Sequence, residues 1–223
     1  AWSDFTPVKP SFLGVKILED FPLETLLERF DWSPFFQAWE LHGKYPRILD
    51  DKVVGEEAKK VFADAQAMLK QIMNEKWLTA KAVYGFYPAN RVGDDIEVYT
   101  DDTRSEVLTR FHHLRQQAEK KRGGANNCLS DFIAPKDSGV ADYIGFFAVT
   151  AGIGIDEHVA RFEAAHDDYH AIMLKALADR FAEAFAEALH ERVRKQDWGY
   201  APDETLDNDD LIRERYQGIR PAA

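Results

Sequence analysis

Cysteine is almost missing: Cys128 is the only one in 223 residues, which excludes an internal disulfide and any Cys-rich metal centre. An excess of cations is missing too. Lys and Arg number 28 against 39 Asp and Glu, a net charge of −11. That balance argues against non-specific binding to nucleic acid or to an anionic membrane, because both reward a basic surface. No apolar run approaches the ~20 residues that span a bilayer; Ile144-Gly-Phe-Phe-Ala-Val149 is among the longest. The start, Ala1-Trp-Ser-Asp-Phe5, has no basic segment followed by an apolar stretch and does not read as a signal peptide. There is no internal repeat and no low-complexity tract. What is present is 45% hydrophobic and 13% aromatic residues, ample for a packed core, in a length that fits one large domain or two small ones. The composition predicts a soluble, cytoplasmic, acidic globular protein with no nucleic-acid or membrane partner.

Local patterning predicts an α+β fold, a mostly antiparallel twisted sheet flanked by long helices. Residues 1 to about 21 are punctuated by Pro7 and Pro10 and read as an extended arm. Leu23, Leu26, Leu27 and Phe30 form one apolar stripe on a short helix over 22–30, and Pro34 stops helix near Ser33. Ala58, Val61, Phe62, Ala65, Met68, Leu69 and Ile72 line one side of an amphipathic helix over 55–77. Strands are expected at 83–87, closed by Pro88, and at 95–99, with a turn at Asp101-Asp102 and a return strand at 107–114 for which a helix fits the pattern nearly as well. The continuous apolar run over 142–149 predicts a buried central strand. One long helix is expected over 156–195, with Phe181, Phe185, Ala188, Leu189 and Arg192 in its stripe. A short last helix over 209–216 would be capped by Asp207 or Asn208 and end at Gly218.

Few residues group into recognisable chemistry. His166 and His170 stand at i, i+4, but the zinc-protease pattern needs Glu after the first His, and Asp167 is there instead. His112 and His113 would face opposite sides of a strand. Gly152-Ile-Gly154 lacks the third glycine of a dinucleotide loop, Glu157 standing in its place, and reads as a turn. Cys128 reads as a small core residue. More informative are polar groups set among apolar ones. Arg91-Val-Gly-Asp94-Asp95 sits on a loop between two strands, where binding groups concentrate. Asp31 lies beside Trp32 at a helix end, where it can serve a ligand or merely cap the helix. Arg220, in the short tail, is suited to bidentate capture of a carboxylate.

Taken together these segments resemble the activation domain of cobalamin-dependent methionine synthase. The resemblance is carried by Asp31-Trp-Ser-Pro-Phe-Phe36, Gly43-Lys-Tyr-Pro-Arg-Ile48, Pro88-Ala-Asn-Arg-Val-Gly-Asp-Asp-Ile96, His113-Leu-Arg-Gln-Gln117 and Cys128-Leu-Ser-Asp-Phe-Ile-Ala-Pro135. It continues through Asp167-Asp-Tyr169, the stretch 175–187, His190-Glu-Arg-Val-Arg194 and Tyr216-Gln-Gly-Ile-Arg-Pro-Ala222, in order along nearly the whole chain. The family implies binding of S-adenosylmethionine, docking over cobalamin held mainly by another module, and remethylation of cob(II)alamin with an electron from flavodoxin or a flavodoxin-like reductase. By that resemblance Asp31 contacts S-adenosylmethionine, Arg220 meets its carboxylate, Glu214 lies near the site, and Arg180 and Glu183 lie on the helix beside it. A zwitterionic sulfonium ligand suits such a set: arginine for its carboxylate, acidic groups for its ammonium and sulfonium. No metal ligand and no catalytic residue are implied. The family pattern Arg-x-x-x-Gly-Tyr continues for ~100 residues, about a small domain's worth, so the resemblance implies an activation domain over 1–223 shortened at its C-terminus. The alternative is a docking module for a corrinoid protein that binds no S-adenosylmethionine.

Overall fold

Alternating and helical periodicities translate directly into most elements of the computed structural model, which describes residues 2–120, 123–207, 210–211 and 213–218. Strand β1 is Gly14–Phe21, helix α1 Trp32–Gln37 and helix α2 Gly55–Glu75. Three strands follow: β2 at Thr79–Val92, β3 at Asp95–Tyr99 and β4 at Val107–Phe111. Strand β5, Asp142–Ile153, leads into α3, Ile155–Ala164, and α4, Asp168–Arg192. The sheet order is β1-β2-β3-β4, with β5 paired to β2, and the β2–β3 and β3–β4 pairs are antiparallel. The fold class is α+β.

The chain divides into two units. One comprises Ile17–Val83 and Ala148–Glu191, the other Ala1–Lys16, Tyr84–Phe147 and Arg192–Ala223. In the first, α2 buries Ala58, Val61, Ala65, Met68, Leu69 and Ile72, the predicted stripe, with Phe62 half-buried. The segment 22–30 forms a 3-10 helix over Leu23–Arg29 rather than an α-helix. An aromatic core packs behind it: Phe30 on Phe181 at 4.7 Å, Trp32 on Phe62 at 4.8 Å and Phe21 on Phe185 at 4.5 Å. Such ring pairs add to their area burial.

In the second unit, Gly93, at φ +65, allows a tight β2–β3 turn that sets Val92 opposite Asp95 and Ala89 opposite Val98. The expected arm contains β1 in its second half. Ahead of it Phe12 packs on Phe86 at 4.8 Å, and the Val8 carbonyl accepts from Trp198 Nε1 at 2.8 Å. Cys128 is buried, as predicted.

Four expectations are corrected. Pro88 does not close β2: the proline lies one residue ahead of the ladder with β3, which begins at Ala89, and the strand runs on to Val92. Strand β5 is not buried throughout, since Gly145, Ala148 and Thr150 are exposed; its apolar run meets β2 without cover on both faces. The helix over 156–195 is two helices. The chain turns at His166, φ +54, and the Asp167 carboxylate accepts from the His170 N–H at 3.1 Å, capping a new start. His166 and His170 therefore do not share a helix. Beyond α4 the chain widens into a π turn, Val193–Asp197. There Asp197 accepts from Tyr84 Oη at 3.0 Å and Arg192 Nε at 2.8 Å. The last expected helix falls partly outside the described residues. Asp210 and Leu211 are helical, and the Asp207 carboxylate accepts from the Asp210 N–H at 2.8 Å.

Candidate functional site

A helix-capping carboxylate opens the candidate site. Asp31 precedes α1 with extended backbone, and its Oδ1 accepts from the Ser33 N–H at 2.9 Å. Among the described residues its Oδ2 meets no donor. Asp31 thus does the structural work that its position predicts and keeps one oxygen for a second partner.

Helix α1 and helix α4 border an open groove of about 310 Å³, lined by Pro34, Phe35, Ala38, Ile172, Lys175, Ala176, Asp179 and Arg180. Its floor is apolar and its α4 rim is charged. Residues 172, 175, 176, 179, 180 and 183 recur at helical spacing, which puts Glu183 one turn past the groove on the same face. Glu183 is exposed. The Arg180 guanidinium, mostly covered, is held against Asp179, with Nε at 3.2 Å from its Oδ2. Asp31, Arg180 and Glu183 therefore lie on two helices of one unit. Sequence reasoning passed over Lys175, Asp179 and Ile172. The available signal was Ile172 itself, an apolar residue standing on the polar side of α4 and 47% exposed.

Glu214 belongs to the other unit, is exposed and has left-handed backbone, φ +54. Arg220 lies outside the described residues.

The loop singled out by its charges is a clamp. Asp131 sits between two arginines: Arg91 donates to it at 2.7 Å, and Arg115 donates at 2.7 and 2.8 Å while also holding Asp94 at 2.6 Å. Hydrogen bonds from Arg115 and the Cys128 N–H hold the Asp131 carboxyl well below the usual carboxylate range. Arg91 and Arg115 both have carboxylate partners, so the cluster ties Arg115 and Asp131 to the β2–β3 turn.

Comparison with known proteins gives the family. Residues 22–223 match the family model for the vitamin B12 dependent methionine synthase activation domain. The chain belongs to that family. A solved structure, the MetH reactivation domain bound to AdoHcy, is 60% identical, superposes with a TM-score of 0.95, and is matched over 100% of this chain and 68% of its own. This activation domain is thus part of a cobalamin-dependent methyltransferase. Among the described residues no helix is long and apolar enough to cross a membrane.

Proposed function

We propose that this activation domain takes up S-adenosylmethionine for reductive methylation of cob(II)alamin, returning methionine synthase to its working cycle. The observation that carries the reading is the AdoHcy-bound relative, alike over the whole chain at a TM-score of 0.95. The residues fit the ligand. Asp31 has a carboxylate oxygen without a donor among the described residues, and the groove beside α1 combines an apolar floor with Lys175, Asp179 and Arg180. S-adenosylmethionine supplies an electrophilic methyl group; the chain's part is to hold the two ends of the molecule. Asp31 and Glu183 serve its positive groups, Arg220 its carboxylate, with Glu214 and Arg180 contributing to the local field. Cobalamin is bound mainly by the neighbouring module, on which this domain docks, and flavodoxin or a flavodoxin-like reductase delivers the electron.

Titration calorimetry with S-adenosylhomocysteine and S-adenosylmethionine tests this. The domain binds both, and Arg220→Ala removes binding while the circular dichroism spectrum is kept. Parent-like affinity in Arg220→Ala would sink the site assignment.

A further inference from the structure

Asp31 is strung between two seated rings. Phe30 and Trp32, on either side of it, are both buried and lie 5.4 Å apart. Phe30 and Asp31 themselves have extended backbone, linking the 3-10 helix to α1. A short extended link follows the anchors of its flanking side chains. Trp32 is anchored on α2, its ring 4.8 Å from that of Phe62. Phe30 is anchored on α4, edge to face with the fully buried Phe181 at 4.7 Å. Phe181 stands between Arg180 and Glu183 on the helix that carries both. Two further contacts give the sense of the pairing: Arg29 forms an ion pair with Glu191, and Trp39 packs on Tyr169 at 6.0 Å. As numbers rise from 29 to 39 they fall along α4, so Asp31 lies toward the Arg180–Glu183 end of the groove and away from Ile172.

We propose that Phe30 and Phe181 are positioning residues: their edge-to-face contact fixes how far the Asp31 carboxylate stands from Arg180 and Glu183, and so fixes the spacing of the charges that meet the ligand. The proposal rests on the reading of Asp31 and Glu183 as partners of the positive groups of S-adenosylmethionine. Burial alone would be served by any large apolar pair. What two rings add is geometry, because their quadrupoles favour an edge against a face at a set separation. Spacing matters to binding because the attraction between charges falls with distance, and a carboxylate held by a seated backbone has little room to follow a misplaced partner.

The test compares Phe181→Leu and Phe185→Leu with the parent. Phe185 lies one turn further along α4, is as deeply buried and stacks on Phe21 at 4.5 Å, so its replacement matches the packing loss and leaves the Phe30 contact in place. Both variants are expected to lower the urea midpoint. Phe181→Leu weakens S-adenosylhomocysteine binding, read by calorimetry, by about fivefold or more, while Phe185→Leu stays within about twofold of the parent. Phe181→Leu also shifts the amide resonance of Ser33, which reports the Asp31 carboxylate it donates to, and Phe185→Leu does not. Phe30→Leu removes the same contact from the other side and carries the same expectations, which serves if Phe181→Leu does not fold. Parent-like affinity on loss of the contact, an equal loss in Phe185→Leu, or weaker binding with the Ser33 resonance unmoved overturns the positioning role; the ligand assignment then stands if Asp31→Asn still loses affinity. Parent-like affinity in Asp31→Asn, or a parent that takes up no ligand, overturns the ligand assignment and the positioning role with it.

Discussion

Two arginine–carboxylate assemblies in the same unit show how differently one chemistry behaves. At the β2–β3 turn, Arg91, Arg115, Asp94 and Asp131 form a four-member clamp whose central side chains, Arg115 and Asp131, remain 33% and 31% exposed. Near the C-terminus, Arg194 and Glu204 pair at 0% and 8% exposure. The clamp has several hydrogen bonds, yet water competes for each of them and screens the charges. The buried pair is shielded from that competition. Burial, and not the number of charges, ranks the two.

The largest effect therefore belongs to the buried pair. Arg194→Met strands the Glu204 carboxylate, and removing one partner of a buried pair costs about 3–5 kcal/mol. Urea unfolding measures it, and the double replacement Arg194→Met with Glu204→Leu is expected to recover most of the loss. A double variant no more stable than the single would mean that Arg194 acts through its other contacts, Tyr216 among them.

The clamp comes next. Asp131→Asn is expected to cost about 1 kcal/mol at neutral pH and low salt, and less as salt rises. The folded state depresses the Asp131 pKa, so its stabilisation is complete above the unfolded value of about 3.9 and is lost as pH falls through the lower folded value. The variant should lack that acid-side loss. Asp142 provides the opposite sign within the same unit. Its carboxylate accepts from the Ala134 and Tyr143 N–H groups, but burial outweighs them and pushes it up. Carboxyl carbon chemical shifts followed through an acid titration should show Asp142 protonating first and Asp131 last. The reverse order would remove the basis for ranking these sites by burial.

The same distinction separates what the sequence reveals from what it conceals. The α2 stripe is legible because a helix buries residues at a fixed spacing, and β3 because Asp95–Tyr99 is bounded by turns. The break between α3 and α4 was within reach: Asp167 is a capping residue, but a helical pattern on both sides of it masked the stop. Strand β5 misled because an apolar run reports hydrophobicity and not how many neighbours cover it. In the site, Asp31 is legible as a carboxylate at a helix end and Arg220 as a cation suited to a carboxylate, while the roles proposed for Arg180, Glu183 and Glu214 come from family resemblance alone. The Arg194–Tyr216 contact spans 22 positions of chain and has no local signature. The clamp reads as a binding loop from sequence, because only tertiary structure shows that its charges are already matched.

A third carboxylate, between the two extremes, gives the smallest stability effect and the sharpest functional one. Asp31 is half-buried and spends one oxygen on the Ser33 N–H. Asp31→Ala removes a helix cap and is expected to cost about 1 kcal/mol, readable as a modest fall in the urea midpoint. Asp31→Asn keeps an acceptor oxygen for Ser33 and should hold stability near the parent's, yet it replaces the negative charge that a sulfonium or ammonium group would meet. If Asp31 is only a cap, Asn preserves both stability and S-adenosylhomocysteine affinity. If it is also a ligand contact, Asn preserves the first and loses the second. The two variants together thus separate the structural duty of this side chain from its proposed binding duty, which neither can do alone.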